Sequence, residues 1–91
     1  MARYLVERDF PAGWHVSVTL EGSQSCRLMV TNNSDDGVTW IHSYVSLDNR
    51  KSFCVCDAPN PEAVRRSATR NDLPIDRIVE VRVLDPYFYR P

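Results

Sequence analysis

Histidine and cysteine are the side chains of this sequence best suited to bind a transition metal or to act as nucleophiles, and few are present. The chain has two histidines, His15 and His42, and three cysteines. One segment, WIHSYVSLDNRKSFCVC at residues 40–56, contains His42 and two of the cysteines. This segment is either a metal site laid across a β-hairpin or a hairpin whose core contains sulfur.

The composition of the segment is typical of a β-hairpin. Residues 38–46 are rich in β-branched and aromatic types, which suit a pleated, half-buried surface. A turn-forming LDNRK sequence follows, and residues 52–57 continue as a second strand. In the simplest register His42 lies opposite Asp57. Because side chains alternate between the two faces of a sheet, this register predicts two sets of neighbours. The face of His42 also carries Trp40, Tyr44, Phe53 and Val55, and the opposite face, toward the helices, carries Ile41, Val45, Leu47, Cys54 and Cys56.

A histidine on an uncovered sheet face is a candidate metal ligand. Asp57 could hold its imidazole in one tautomer or act as a second ligand. Glu7 and Glu80, from the two neighbouring strands, are further candidates, and oxygen and nitrogen donors of this kind suit nickel or zinc. His15 would add a second nitrogen ligand only if the fold brings it near His42. The alternative interpretation, favoured because a single histidine rarely makes a site, is that His42 fills an aromatic dimer face and binds nothing.

The cysteines allow two interpretations as well. Cys54 and Cys56 lie on the same side of one strand, close enough to share a soft metal ion. Free cysteine usually behaves as a small buried hydrophobic residue, and we favour that interpretation for both, and for Cys26. The sequence contains no glycine-rich phosphate loop, no Ser–His–Asp pattern and no helical histidine pair. Because nothing in the sequence activates His42 with Asp57 or a cysteine, we expect a protein without catalytic activity.

The elements that position these residues are marked clearly in two places. Asn60 followed by Pro61 is a typical helix start, and Pro74 ends that helix. RIVEVRVL at residues 77–84 alternates cleanly, which predicts a strand with Val79, Val81 and Val83 on one face. RYLVERDF at residues 3–10 predicts a first strand that ends before Pro11.

The segment from Trp14 to Gly37 fits two structures. Its alternation slightly favours a hairpin, whereas apolar residues from Cys26 to Val30 also recur at helical spacing. With a helix at about residues 20–34 the order becomes strand, helix, strand, strand, helix, strand. That order is the ferredoxin-like split βαβ arrangement.

Length and charge narrow the class of protein. The 91 residues predict a single domain over residues 1–91. A net charge of −1 argues against nucleic acid as a partner and gives no attraction to an anionic membrane. The sequence has no apolar stretch near the roughly 20 residues that span a bilayer, and its N-terminus is too charged for a signal peptide. An odd number of cysteines fits a reducing compartment, so we expect a cytoplasmic protein.

Four stretches together carry a resemblance: YLVERDFP, GVTWIHSYVS, FCVCDAPNPEAVRRSA and LPIDRIVEVRVLDPYFY. In them the chain resembles a family of small bacterial proteins of unknown function whose named representative binds nickel. The resemblance covers nearly the whole chain, most weakly residues 14–34. It implies a ferredoxin-like α+β fold with a four-stranded antiparallel sheet, two helices on one face, a helix in the ambiguous segment, and a homodimer. Of the histidines, only His42 lies in a matching motif, Cys56 replaces an expected aromatic residue, and Asp72 stands where a glycine would usually follow the helix.

Helices on one face leave the other face of the sheet uncovered. An apolar patch of that kind usually marks an interface, so we expect a homodimer packed through this face, with His42 at or near the contact. Aromatic residues of the tail could reach across and seal its edge. They are Tyr87, Phe88 and Tyr89.

The expected function is a small non-catalytic binding protein for a divalent transition metal such as nickel. One alternative is a structural or regulatory dimerisation module without a ligand. The other, based on fold analogy alone, is a small-molecule enzyme that uses the uncovered face.

Overall fold

A computed structural model describes residues 1–14 and 20–88 of the chain. That part contains four strands and two helices in the predicted order: β1 (Ala2–Asp9), α1 (Leu20–Asp35), β2 (Thr39–Val45), β3 (Lys51–Ala58), α2 (Pro61–Arg70) and β4 (Arg77–Val81). The strands form one antiparallel sheet in the order β2-β3-β1-β4. The fold is therefore α+β and ferredoxin-like, which confirms the prediction.

The central strands β1 and β3 alternate between two environments. Tyr4 and Val6 of β1 lie opposite Cys56 and Cys54 of β3, on the face that the helices cover. There they meet apolar residues of α2, such as Val64, which is 1 % exposed. The core is made mainly of small side chains. Its buried members are Tyr4, Val6, Val38, Cys56, Ala58, Ala63 and Val64.

Helix α1 resolves the ambiguous segment in favour of the family resemblance and against the alternation. The helix spans Leu20–Asp35. Its periodicity is weak because two of its apolar residues face solvent: Leu28 is 61 % exposed and Val30 is 52 % exposed. An amphipathic pattern is visible in a sequence only when the apolar residues lie on the buried face.

Helix α2 begins as predicted. The side chain of Asn60 accepts a hydrogen bond from the backbone N–H of Ala63 at 2.9 Å, and Pro61 occupies the first turn. The N-cap satisfies one donor that the helix itself leaves unpaired, and proline needs no partner at that position. The predicted helix start is confirmed.

Both helices end in the same backbone motif. At the end of α1, the N–H of Val38 donates to the carbonyl of Asn33 at 2.9 Å, and Gly37 between them has φ +73°. At the end of α2, the N–H of Leu73 donates to the carbonyl of Ala68 at 2.9 Å, and Asp72 has φ +56°. Each is a Schellman motif, in which the residue after the C-cap adopts a left-handed conformation.

Strand β4 is shorter than predicted. It spans Arg77–Val81, so Val83 lies beyond the strand and is 68 % exposed. The last pair between β1 and β4 is Arg3 with Val81, close to the start of β1 at Ala2, and the alternating sequence continues beyond these paired residues. Within the described residues, no helix is long and apolar enough to cross a membrane.

Candidate functional site

The open face of the sheet is the face opposite the helices, and it carries His42. The strand register places His42 opposite Val55 and Tyr44 opposite Phe53. Leu5 of β1 lies beside Val55. Leu5, Phe53 and Val55 are half-buried. Tyr44 is 65 % exposed, and His42 is exposed. The open face is therefore a mixed patch in which an accessible imidazole on the edge strand β2 lies beside apolar side chains of the inner strands.

The imidazole has one aromatic neighbour on its own strand. The rings of His42 and Tyr44 meet edge to face, with centroids 5.2 Å apart and an angle of 84° between their planes. This is a favoured arrangement for aromatic rings. It orients the imidazole while leaving it accessible for a further contact.

The prediction that Trp40 shares the face of His42 is wrong. The pairing of β2 with β3 shifts between Trp40 and His42, so that Trp40 lies opposite Cys56 on the helix side. Ile41 is the additional residue of this bulge and is 40 % exposed. On the helix side, the indole N–H of Trp40 donates to the hydroxyl of Ser43 at 2.8 Å. A bulge of one residue reverses the side to which the preceding side chains point.

The predicted pairing of His42 with Asp57 is wrong for a separate reason: the hairpin pairs Val45 with Ser52, and this register places His42 opposite Val55. Asp57 lies opposite Thr39 rather than opposite His42, and on its other side it lies opposite Arg3. The Nε of Arg3 donates to Oδ1 of Asp57 at 2.9 Å, and Nη2 donates to Oδ2 at 3.3 Å. This hydrogen-bonded ion pair lowers the pKa of Asp57. The carboxylate that was predicted to assist His42 is thus held by an arginine.

The other predicted ligands are divided between the faces. Glu7 lies on the open face, opposite Phe53. Glu80 pairs with Tyr4, so its side chain belongs to the helix side, away from His42. His15 lies outside the described residues. Within residues 1–14 and 20–88, no three His, Cys, Asp or Glu side chains lie close enough to hold a metal ion. The described part of one chain therefore does not supply a complete ligand set for nickel or zinc.

The cysteines occupy the core side of β3. Cys56 is 5 % exposed within the apolar cluster, and Cys54 packs against that cluster. Burial raises the pKa of the Cys56 thiol to about 11, so the thiol is neutral at pH 7. Cys26 of α1 is half-buried. The positions of Cys54 and Cys56 agree with the interpretation of both as small hydrophobic core residues.

The predicted interface aromatics differ in position. Tyr44 and Phe53 lie on the open face, whereas Trp40 does not. In the tail, Tyr87 is 89 % exposed and Phe88 is 79 % exposed. Tyr89 lies outside the described residues.

A second feature lies on the helix side of the sheet. A cavity of about 40 Å³ separates the sheet from the helices, and its walls include Trp14, Trp40 and Val64. Arg8 of β1 lines it and is 8 % exposed, and Ser52 of β3 lies directly opposite Arg8.

Comparison with known proteins places the chain in a family. The sequence model of a family described as "Nickel responsive protein SCO4226-like" matches residues 4–81. The chain belongs to the SCO4226-like family. The crystal structure of SCO4226 from Streptomyces coelicolor A3(2) is similar to it with a TM-score of 0.71 and 20 % sequence identity, covering 92 % of this chain and 100 % of that one. At that identity the likeness shows the fold alone. No curated protein matches the chain.

Arg8 was not among the predicted functional residues of this SCO4226-like chain, although the sequence held a signal for it. Tyr4, Val6 and Arg8 follow one another at intervals of two, so a strand places all three on one face. An arginine on the same face as two core residues is an unusual element of a buried surface.

Proposed function

We propose that this SCO4226-like chain is a small non-catalytic binding protein that takes a divalent transition-metal ion, such as nickel, between two copies of itself. The observation that carries the proposal is the position of His42, an accessible imidazole on the edge strand β2, beside the half-buried apolar side chains of the open face. The family description, nickel responsive, supplies the choice of metal.

A second copy is needed because the described residues of one chain do not cluster enough ligands. A two-fold dimer packed through the open face would duplicate every donor on that face. Two His42 imidazoles would then supply two nitrogen ligands. Glu7 takes part in none of the ion pairs within the described residues, so its carboxylate is the better candidate for an oxygen ligand than Asp57, which Arg3 holds.

The open face also favours association by itself. Leu5, Phe53 and Val55 are half-buried on a face that the helices do not cover. Contiguous apolar surface of this kind usually marks an interface. Packing two such faces together would remove these side chains from water at about 25 cal/mol per Å² of apolar area.

The test combines calorimetric titration with sedimentation at matched chain concentrations. We expect nickel to bind the wild-type protein with a dissociation constant below about 100 μM, or roughly −5.5 kcal/mol. Because the site forms on assembly, nickel should raise the dimer fraction, and affinity should rise with chain concentration. His42→Ala should abolish nickel binding. His15→Ala removes the other histidine and shows whether the effect is specific to His42. If nickel, zinc and copper all bind more weakly than about 100 μM, metal binding is refuted.

A second candidate function is a dimerisation module without a ligand, and the lack of three clustered donors in the described residues favours it. In that case His42→Ala weakens the dimer and no metal binds at all. An intact His42→Ala dimer that has lost nickel supports the metal site instead.

The tail tests the assembly that both functions require. Fully burying one aromatic side chain contributes about 1.5–3 kcal/mol, and Tyr87 and Phe88 are almost fully exposed in one chain. If they cover the edge of the dimer, deleting residues 86–91 should raise the dimer dissociation constant at least about tenfold, which corresponds to 1.4 kcal/mol. A wild-type protein that sediments as a monomer at micromolar concentration, both without nickel and with nickel in excess, would refute both functions.

A further inference from the structure

The cavity between the sheet and the helices is lined by an arginine, Arg8, whose charge is not paired among the described residues. Arg8 is 8 % exposed, and its Nε is buried with no hydrogen-bond partner among the described residues. A buried donor left unpaired costs about 1–3 kcal/mol, and more when it is charged. Buried charges in folded proteins are normally paired or hydrogen-bonded. The position of Arg8 therefore calls for an acceptor inside the cavity.

The side chains nearby do not neutralise this charge. None of the ion pairs within the described residues includes Arg8. Burial raises the pKa of the Cys56 thiol to about 11 and outweighs the positive charge of Arg8, which lowers it. The thiol therefore carries no negative charge at pH 7. The guanidinium is thus a buried cation whose counter-ion the described part of the chain does not provide.

Most other polar groups around the cavity are already engaged. The amide of Asn71 donates to Oδ1 of Asn33 at 2.9 Å, and the hydroxyl of Ser67 donates to the carbonyl of Val64 at 2.9 Å. Ser52 differs: it is 1 % exposed, and within residues 1–14 and 20–88 its hydroxyl makes only a weak hydrogen bond, 3.9 Å from the sulfur of Cys54. Arg8 and Ser52 face each other in the register of β1 and β3.

We propose that this cavity is a binding site for a small carboxylate anion with a short apolar body, held by the guanidinium of Arg8 and the hydroxyl of Ser52. The guanidinium presents N–H groups in a planar fork that matches a carboxylate, and a hydroxyl is a suitable additional donor to it. The apolar body would lie against Val6, Trp14 and Trp40.

The size of the cavity limits the ligand. One water molecule needs roughly 10–15 Å³ of such volume, so about 40 Å³ accommodates about three water-sized positions. Acetate and propionate are carboxylates of this size. The mainly apolar walls disfavour a phosphate dianion, whose oxygens would need several more donors than Arg8 and Ser52 offer.

The experiment measures thermal unfolding and NMR spectra of the full chain in sodium propionate, sodium acetate or inorganic phosphate, against sodium chloride of equal ionic strength. We expect propionate to raise the unfolding temperature saturably, by at least about 4 °C. The Nε–H resonance of Arg8 should shift over the same concentration range. Arg8→Met should abolish the response, whereas Arg65→Met, which removes an exposed arginine of α2, should leave it unchanged.

A second variant keeps the proposal testable if Arg8→Met does not fold. Ser52→Ala keeps the arginine, and we expect it to weaken propionate binding about tenfold by removing a hydrogen bond to a charged group. No saturable response of the wild type to any of the three anions would refute the site. The same response in Arg8→Met would refute the role of Arg8. A larger Arg8-dependent response to phosphate than to propionate would refute the carboxylate assignment.

Discussion

The two helix ends provide a matched pair of substitutions with opposite expected effects. Each Schellman motif needs one residue in the left-handed conformation, which is Gly37 after α1 and Asp72 after α2. That conformation costs an L-residue about 1–2 kcal/mol, with Asp toward the lower limit, and costs glycine almost nothing. Gly37→Ala should therefore destabilise the protein, and Asp72→Gly should stabilise it.

The magnitude follows from two opposing effects. Replacing glycine by alanine reduces the entropy of the unfolded chain, which stabilises the fold by about 0.4–1 kcal/mol. Subtracting this from the left-handed strain leaves Gly37→Ala destabilising by about 0.8 kcal/mol and Asp72→Gly stabilising by about 0.5 kcal/mol. Steric overlap adds nothing at Gly37, because a Cβ there would lie 3.8 Å from Cδ of Pro59, an ordinary contact distance.

Thermal unfolding followed by circular dichroism measures both effects. In a domain of this size we expect Gly37→Ala to lower the Tm by about 3–6 °C and Asp72→Gly to raise it by about 2–4 °C. All variants are compared at one chain concentration, because association would also shift the Tm. Gly37→Asn is the control: it should lower the Tm less than Gly37→Ala does, because asparagine tolerates the left-handed conformation. A destabilised Asp72→Gly protein would refute the assigned geometry of the α2 end.

Two further predictions concern ionisable groups of the sheet. Arg3→Gln should raise the pKa of Asp57, as measured by an NMR pH titration. Because the pKa of Asp57 is lowered in the folded state, the ion pair stabilises the wild type at neutral pH, and this stabilisation should be lost as the pH falls from about 4 through the folded pKa. The stabilities of the wild type and the variant should therefore converge in acid. An unchanged pKa would refute the ion pair. Burial raises the pKa of Cys56 to about 11, so iodoacetamide at pH 8 should alkylate Cys56 far more slowly in the folded protein than in urea. Mass spectrometry measures the two rates, and equal rates would show that the thiol is not buried.

Local signals predicted the parts of the fold that depend on neighbouring residues. The start of α2 follows from Asn60 and Pro61, because a cap and a fixed φ are properties of a few adjacent residues. Helix α1 could not be derived in this way, since its exposed Leu28 and Val30 obscure the buried stripe. The resemblance to the family identified that helix where periodicity favoured a hairpin.

The candidate site shows what alternation alone misses. Counting residues in steps of two placed Trp40 and His42 on one face, and the bulge at Ile41 breaks that relation. The expected pairing of His42 with Asp57 fails because β2 and β3 pair in a register that differs by two residues, with His42 opposite Val55. A bulge depends on how two strands twist against each other, and it leaves no mark in a pattern of apolar residues. Arg8 was missed for a different reason: its position was predictable from Tyr4 and Val6, but the absence of a partner for its Nε among the described residues is a property of the packed cavity.

The bulge in β2 also explains how one strand serves both sides of the sheet. Without it, Trp40 and His42, two residues apart, would point to the same side. With Ile41 inserted, Trp40 lines the cavity that contains Arg8, and His42 lies on the open face. The neighbouring strand β3 also contributes to both sides of the sheet, with Cys54 and Cys56 toward the cavity and Val55 toward the open face. The two proposed sites therefore share a backbone but have separate sets of ligating side chains, so that the nickel and propionate experiments test independent properties of the same sheet.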